Sequence, residues 1–401
     1  MTSTKETTMA TLTAPLGTWT GAHDLPAPAA WYGQHDGAVP LDHGIVLVAG
    51  GADAAGAAIG TAATLDTLDM TAAWIPTGIM RSPRQLHTLT RLQDGTVLAA
   101  GGLGGSSPTG PGLGSAEIYH PDGPDNRNQW TPTTGTMITP RWGHSAVLLD
   151  DGSVLVAGGS AARPGGSVTA LRSAERYTPS DGKWHEAPAM TDARTGHTAV
   201  ALDEGMILVV GGVVPVGVPD DPALAFCELY DSGKKLWAPT GALLRARRHH
   251  QATRLSGTTV LVTGGTAPGS PGTAPYDPFS QRATEVFELH SGKWTEKKPM
   301  PAGRAFHRAV PVGPGRVLVV GGASSDRDEA GYRSAFVYDA GHDDWTVAAG
   351  LGTGRWSFAA APLDQGGAAI AGGVVRSGLA AADPVVTELT PTAELFAGGA
   401  A

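Results

Sequence analysis

Seven times along the chain an apolar run closes on two glycines: Gly50–Gly51, Gly101–Gly102, Gly158–Gly159, Gly211–Gly212, Gly264–Gly265, Gly321–Gly322 and Gly372–Gly373. The pairs lie 51 to 57 residues apart. A period of that size marks a repeat architecture, in which no unit can bury its apolar faces without a neighbour. More than glycine recurs. Seventeen residues before six of the pairs stands an arginine: Arg84, Arg141, Arg194, Arg247, Arg304 and Arg355. Five of these are followed three residues later by a histidine: His87, His144, His197, His250 and His307. A tryptophan follows each of the first six pairs: Trp74, Trp130, Trp184, Trp237, Trp294 and Trp345.

Each repeat reads as four short strands, for example HSAVLLD, SVLVAGG, SAERYTP and a last one starting at Trp184. With 57 glycines and 30 prolines, turns between short strands are expected rather than helices. Both faces of such a sheet are apolar and must be covered, which radial stacking around an axis achieves. The Gly pair, the later Tyr and Trp, and the Arg-x-x-His lead-in resemble the kelch-repeat β-propeller family, over roughly residues 17 to 396. The resemblance implies an all-β fold, a seven-bladed β-propeller of four-stranded antiparallel blades. It leaves function wide, because the family includes oxidases, isomerases, specifier proteins and protein-binding adaptors.

The ring must also close. The last repeat has a third strand, TAELF (residues 392–396), and no Trp-bearing fourth; the orphan strand, GTWTG with Trp19, precedes the first Gly pair. The N-terminal strand is therefore expected to complete blade seven. A disordered tail over residues 1–14 and a single propeller over 15–401 follow as the expected domain organisation.

Several function classes fall away. A net charge of −9 and the lack of a Lys/Arg-rich run argue against nucleic acid. The single cysteine, Cys227, excludes an internal disulfide framework and suits a reducing compartment. The first sixteen residues are polar, and no stretch is long enough to span a membrane. A cytoplasmic, monomeric protein without a membrane partner is expected. Arginine outnumbers lysine 21 to 7 amid heavy Ala, Gly and Pro usage, as in a GC-rich bacterial source.

With strands lettered A to D from the axis outward, A–B turns are short, as at Asp94-Gly95 and Asp151-Gly152, and B–C loops are long, as after Gly212, Gly265 and Gly373. The B–C loops share a face with the Arg-x-x-His segments, so a site is expected there, near the axis. Five imidazoles around a pore could bind a metal, which makes His87, His144, His197, His250 and His307 weak metal candidates. We favour a structural role. Strand C carries an acid in nearly every repeat (Asp66, Glu117, Glu175, Glu228, Glu285, Glu394), as for a set of blade-to-blade ion pairs. The breaks in the pattern carry more information. Phe358 replaces the histidine of blade seven, Phe336 the acid of blade six, and blade one opens on WYGQHDG without the arginine.

These departures nominate Trp31, Trp142, Arg248, Phe306 and Trp356 as ligand-binding residues, with His249, His35 and Tyr32 in catalytic roles. The expected ligand is a small molecule, ring-bearing or carbohydrate-like, with an anionic or carbonyl group for Arg248 to hold. The expected chemistry is a non-redox isomerisation, cyclisation or lyase step in secondary metabolism. A protein-binding scaffold using the same loop face is the alternative. No cofactor is required by the sequence, and the metal question stays open. Copper-radical chemistry of the galactose-oxidase kind is not expected: Cys227 lies in strand C away from the axis, and Tyr119-His120 is also in strand C.

Overall fold

The computed structural model describes residues 14–33, 37–69, 71–105, 111–121, 129–215, 221–267, 280–324, 330–364, 366–383 and 385–398. Seven four-stranded antiparallel sheets follow one another, each built in the order A, B, C, D. In blade three, for example, Ser145–Leu148, Val154–Ala157, Ala174–Thr178 and Lys183–Ala187 pair in sequence. Helix among the described residues is limited to three single 3-10 turns, and none is long or apolar enough to cross a membrane. The expected tail lies, apart from Ala14, outside the described residues.

Strand B is the apolar centre of every blade. Val97–Ala100, Val154–Ala157 and Ile207–Val210 are buried along their length, because neighbouring blades cover both faces. Further out, the aromatic side chain of strand C meets the Trp of strand D in six blades. Tyr119–Trp130, Tyr177–Trp184, Tyr230–Trp237, Phe287–Trp294, Tyr338–Trp345 and Phe396–Trp19 have centroids 4.9 to 5.2 Å apart at tilts of 43 to 49°.

Ring closure is as expected. Thr18–Ala22 pairs with Ala393–Ala397 from Thr18 opposite Ala397 to Ala22 opposite Ala393, as strand D of blade seven. Trp19 donates from Nε1 to the Ala349 carbonyl at 2.7 Å, and Leu16 donates to Val347 of blade six at 2.9 Å.

The Gly pairs join blade to blade. All fourteen glycines have positive φ, between 59 and 104°. The N–H of each second glycine donates to the carbonyl of the arginine opening the next blade, as from Gly102 to Arg141 and from Gly159 to Arg194, both at 2.8 Å. A side chain has no room there. A Cβ on Gly101 would sit 2.6 Å from the Arg141 carbonyl oxygen, and one on Gly159 2.6 Å from that of Trp142. The last link, Gly373 N–H to Ala29 carbonyl at 2.8 Å, places Ala29 at the arginine position of blade one.

Candidate functional site

The arginine side chains turn back into their own blade. Arg141 Nη1 donates to the Gly158 and Ser173 carbonyls, both at 2.9 Å, while Nη2 bonds Glu175 at 2.7 Å. Glu175 in turn accepts from the N–H groups of Ile138 and Thr139, on the connector leading into the blade. Arg84–Glu117, Arg194–Glu228, Arg247–Glu285 and Arg355–Glu394 repeat this arrangement with all partners buried. The ion pairs therefore lie within blades, not between them as the spacing suggested. The link between blades runs through the arginine main-chain carbonyl. In blade six, Phe336 occupies the register position of the acid, and its ring lies 4.8 Å from the Arg304 guanidinium carbon.

Blade one departs further. Asp66 is not the counterpart of these acids. Val48 opposes Ala63, as Ala99 opposes Glu117 and Val156 opposes Glu175, so the position belongs to Ala63.

The five histidines proposed as metal candidates are buried one per blade. His144, His197 and His250 each share an Nε2 hydrogen bond with the hydroxyl that follows the histidine of the preceding blade: Thr88 at 3.1 Å, Ser145 at 2.9 Å and Thr198 at 2.9 Å. His307 bonds Thr263 at 2.9 Å. Among the described residues no group of three His, Cys, Asp or Glu side chains is placed to hold a metal ion. These contacts make the imidazoles of His144, His197, His250 and His307 blade-to-blade fasteners.

The second residue after each arginine forms a collar around the axis. Leu86, Gly143, Gly196, His249, Phe306 and Ser357 all have φ between 49 and 60°. Main-chain bonds pass around it from Gly143 to Leu86, Gly196 to Gly143, Phe306 to His249, Ser357 to Phe306 and Trp31 to Ser357. Left-handed backbone is natural for glycine and costly for side-chain-bearing residues, so its persistence at His249 and Phe306 needs compensation from packing. That packing is aromatic. His249 stacks on Phe306 at 4.2 Å, Phe306 meets Trp356 at 5.4 Å, and Trp356 meets Tyr32 edge-on at 5.9 Å. Four of the nominated residues thus form one line over blades five, six, seven and one.

The others are placed differently. Arg248 lies beside His249, half-buried, with Nη1 3.4 Å from the Asp221 carbonyl in the loop of blade four. Trp142 is buried in blade three against Gly112, away from the aromatic line. Trp31 is buried between blades seven and one and donates from Nε1 to the Ala49 carbonyl at 3.1 Å. His35 lies outside the described residues, with Gln34 and Asp36.

Electrostatics set what the line can do. His249 is half-buried, and desolvation, helped by the Arg248 charge, lowers its pKa to about 3, so the imidazole is neutral at pH 7. Burial raises the Tyr32 phenol, partly offset by its hydrogen bond with Thr387. Sequence reasoning missed one residue here, Arg308. It is buried and donates to the carbonyls of Phe358 (2.8 Å), Trp31 (2.9 Å) and Gly33 (3.2 Å), clamping the lead-in of blade one. Its signal was the residue after each histidine, which runs Thr88, Ser145, Thr198, Gln251 and then Arg308.

Comparison with known proteins agrees with the architecture. The Kelch motif model matches residues 141–191. Kelch-like protein 34 of Homo sapiens is 29% identical over 244 residues, 59% of this chain and 35% of that protein. Beta-scruin of Limulus polyphemus is 27% identical over 260 residues, 60% of this chain and 26% of that protein. The chain thus spans about a third or less of the length of these curated relatives. Among solved structures, a fungal alcohol oxidase of the AA5 family in complex with copper superposes with a TM-score of 0.67 at 16% identity, covering 96% of this chain and 76% of the oxidase. YjhT gives 0.56 at 16% identity, covering 77% of this chain and 95% of its own.

Fold and repeat together define the class: a seven-bladed antiparallel β-propeller whose blades are linked through glycine pairs. Within that class its repeats are similar to the Kelch motif, whose model matches residues 141–191, and its blades superpose on those of the copper-bound fungal alcohol oxidase.

Proposed function

We propose that the protein is a binding propeller whose axial mouth, on the face of the B–C loops, takes a small ring-bearing, anionic molecule. The observation that carries this is the unbroken aromatic line His249–Phe306–Trp356–Tyr32, with His249 and Phe306 held in a costly backbone conformation and Arg248 alongside. Phe306 and Trp356 supply a buried apolar floor. The half-buried Arg248, His249 and Tyr32 supply a charge and hydrogen-bonding groups at its edge. A neutral imidazole with a pKa of about 3 is a weak base, so His249 serves as a hydrogen-bonding partner at pH 7. An isomerase, cyclase or lyase step at this mouth would draw its proton donor from Tyr32. Burial raises the thiol of Cys227 to about 11, which keeps it protonated and unreactive; a lone cysteine suits residence in a reducing cytoplasm.

Titration with benzoate and glucuronate, followed by calorimetry, tests the proposal. At least one should bind saturably, and His249→Ala or Arg248→Met should weaken it about tenfold, equivalent to about 1.4 kcal/mol. Full affinity in both folded variants would remove the mouth from consideration.

A second reading has its own support. Leu379, Val385 and Val386 stand 79%, 90% and 43% exposed on the B–C loop of blade seven, close to Tyr32 through Thr387. Apolar groups presented on that face suit a protein partner. A stoichiometric partner whose capture is lost in Leu379→Ser/Val385→Ser would favour it.

A further inference from the structure

Blade one lacks both halves of the buried ion pair. Ala29 stands where the other blades have arginine (blade two uses Arg84), and Ala63 stands where most have glutamate, such as Glu117. Two long side chains have given way to two methyl groups, and the space has not collapsed. A cavity of about 180 Å³ remains, with Leu25, Ala29, Trp31, Val48, Ala62 and Ala63 on its buried side. It opens between Pro26 and Ala27 of the connector from blade seven and Pro76 and Ile79 at the outer strand of blade one, with Ile79 70% exposed. The lining also includes Gly50 and Thr61. Their counterparts Gly101 and Ser115 in blade two offer their carbonyls to the Arg84 guanidinium at 2.8 and 3.1 Å.

We propose that this cavity is a second binding site, for a small neutral aromatic molecule carrying a single O–H or N–H donor, of about the size of phenol. Volume is the first ground: an apolar cavity of about 150 Å³ is large enough to take up benzene. Chemistry is the second. With Ala63 in place of glutamate, a cation would be buried without a counter-charge, so a neutral guest is selected. The carbonyls that receive a guanidinium in the other blades favour a guest with one donor over a pure hydrocarbon. The site lies apart from the aromatic line and does not rest on the function proposed for it.

Calorimetry and saturation-transfer NMR with phenol, and with benzene in parallel, test this on the full chain. Phenol is expected to bind with a dissociation constant on the order of 1 mM, and benzene several-fold more weakly. Ala29→Arg/Ala63→Glu rebuilds the pair seen in the other blades, and Ala63→Leu fills the space without charge. Each should abolish phenol binding, with circular dichroism verifying the fold. Absence of phenol binding to the parent protein, or undiminished binding in whichever variants fold, would overturn the site. Equal affinity for benzene and phenol would overturn the role of the carbonyls.

Discussion

Arg141 holds two blades with one residue. Its carbonyl accepts from Gly102 of blade two, and its guanidinium spans Gly158, Ser173 and Glu175 of blade three. Removing one partner of such a buried pair leaves the other charge stranded, which costs about 3–5 kcal/mol. Arg141→Met should therefore lower the urea midpoint sharply, and Arg141→Met/Glu175→Met should recover much of the loss; an unchanged midpoint in the single variant would deny the pair its structural role. The sequence made the recurrence of these arginines plain, because one residue type returned at one spacing. The blade-to-blade pairing expected from that spacing was wrong, since in a periodic chain pairing within and between blades presents the same spacing. Nor could the sequence identify the left-handed collar, whose position holds glycine only at Gly143 and Gly196 and otherwise carries Leu86, His249, Phe306 and Ser357. Asp66 looked like a sixth acid because it lies in strand C; only the register, with Ala63 opposite Val48, separates them.

At the scale of elements, the closing strand is the one piece of a blade that is remote in sequence from the rest of its sheet. Residues 18–22 contribute five paired positions and the Trp19–Phe396 contact. Deleting residues 15–24 should expose the C strand of blade seven and the flank of blade six. Trp19→Ala, at a half-buried site, should cost about 2 kcal/mol, below the ~3–5 kcal/mol of fully buried aromatic truncations. Chemical denaturation reads both, and a deletion that unfolds with the parent's midpoint would contradict closure by this segment. The sequence revealed this element because the missing fourth strand at one end matched the surplus strand at the other. Arg308 stayed hidden because a single substitution in a position that otherwise varies has no periodic contrast to betray it.

For the whole molecule, the buried and half-buried imidazoles impose a direction on the pH dependence. Burial first, and then neighbouring charges, depress His249 (Arg248), His250 (Arg247, His249) and His307 (Arg304, Arg308, His250, Arg247). Their folded values lie below the unfolded value of about 6.5. As pH falls through that value the unfolded chain takes up protons that the folded one refuses, so stability declines on the acid side and is constant, for these groups, above it. Urea midpoints at pH 8, 7, 6 and 5 should be level between the first two and then fall. His250→Gln should reduce the slope by about one proton; a level profile down to pH 5 would refute the assignment.

The pairing of Thr18 opposite Ala397 puts the two ends of the closing ladder at the same corner of the ring. Tension applied through those ends would load the hydrogen bonds one after another, as a zipper is drawn, instead of all at once in shear. Stretched between a surface and a cantilever, the propeller should yield first at its seventh blade and at low force, with the remaining six sheets giving way only afterwards.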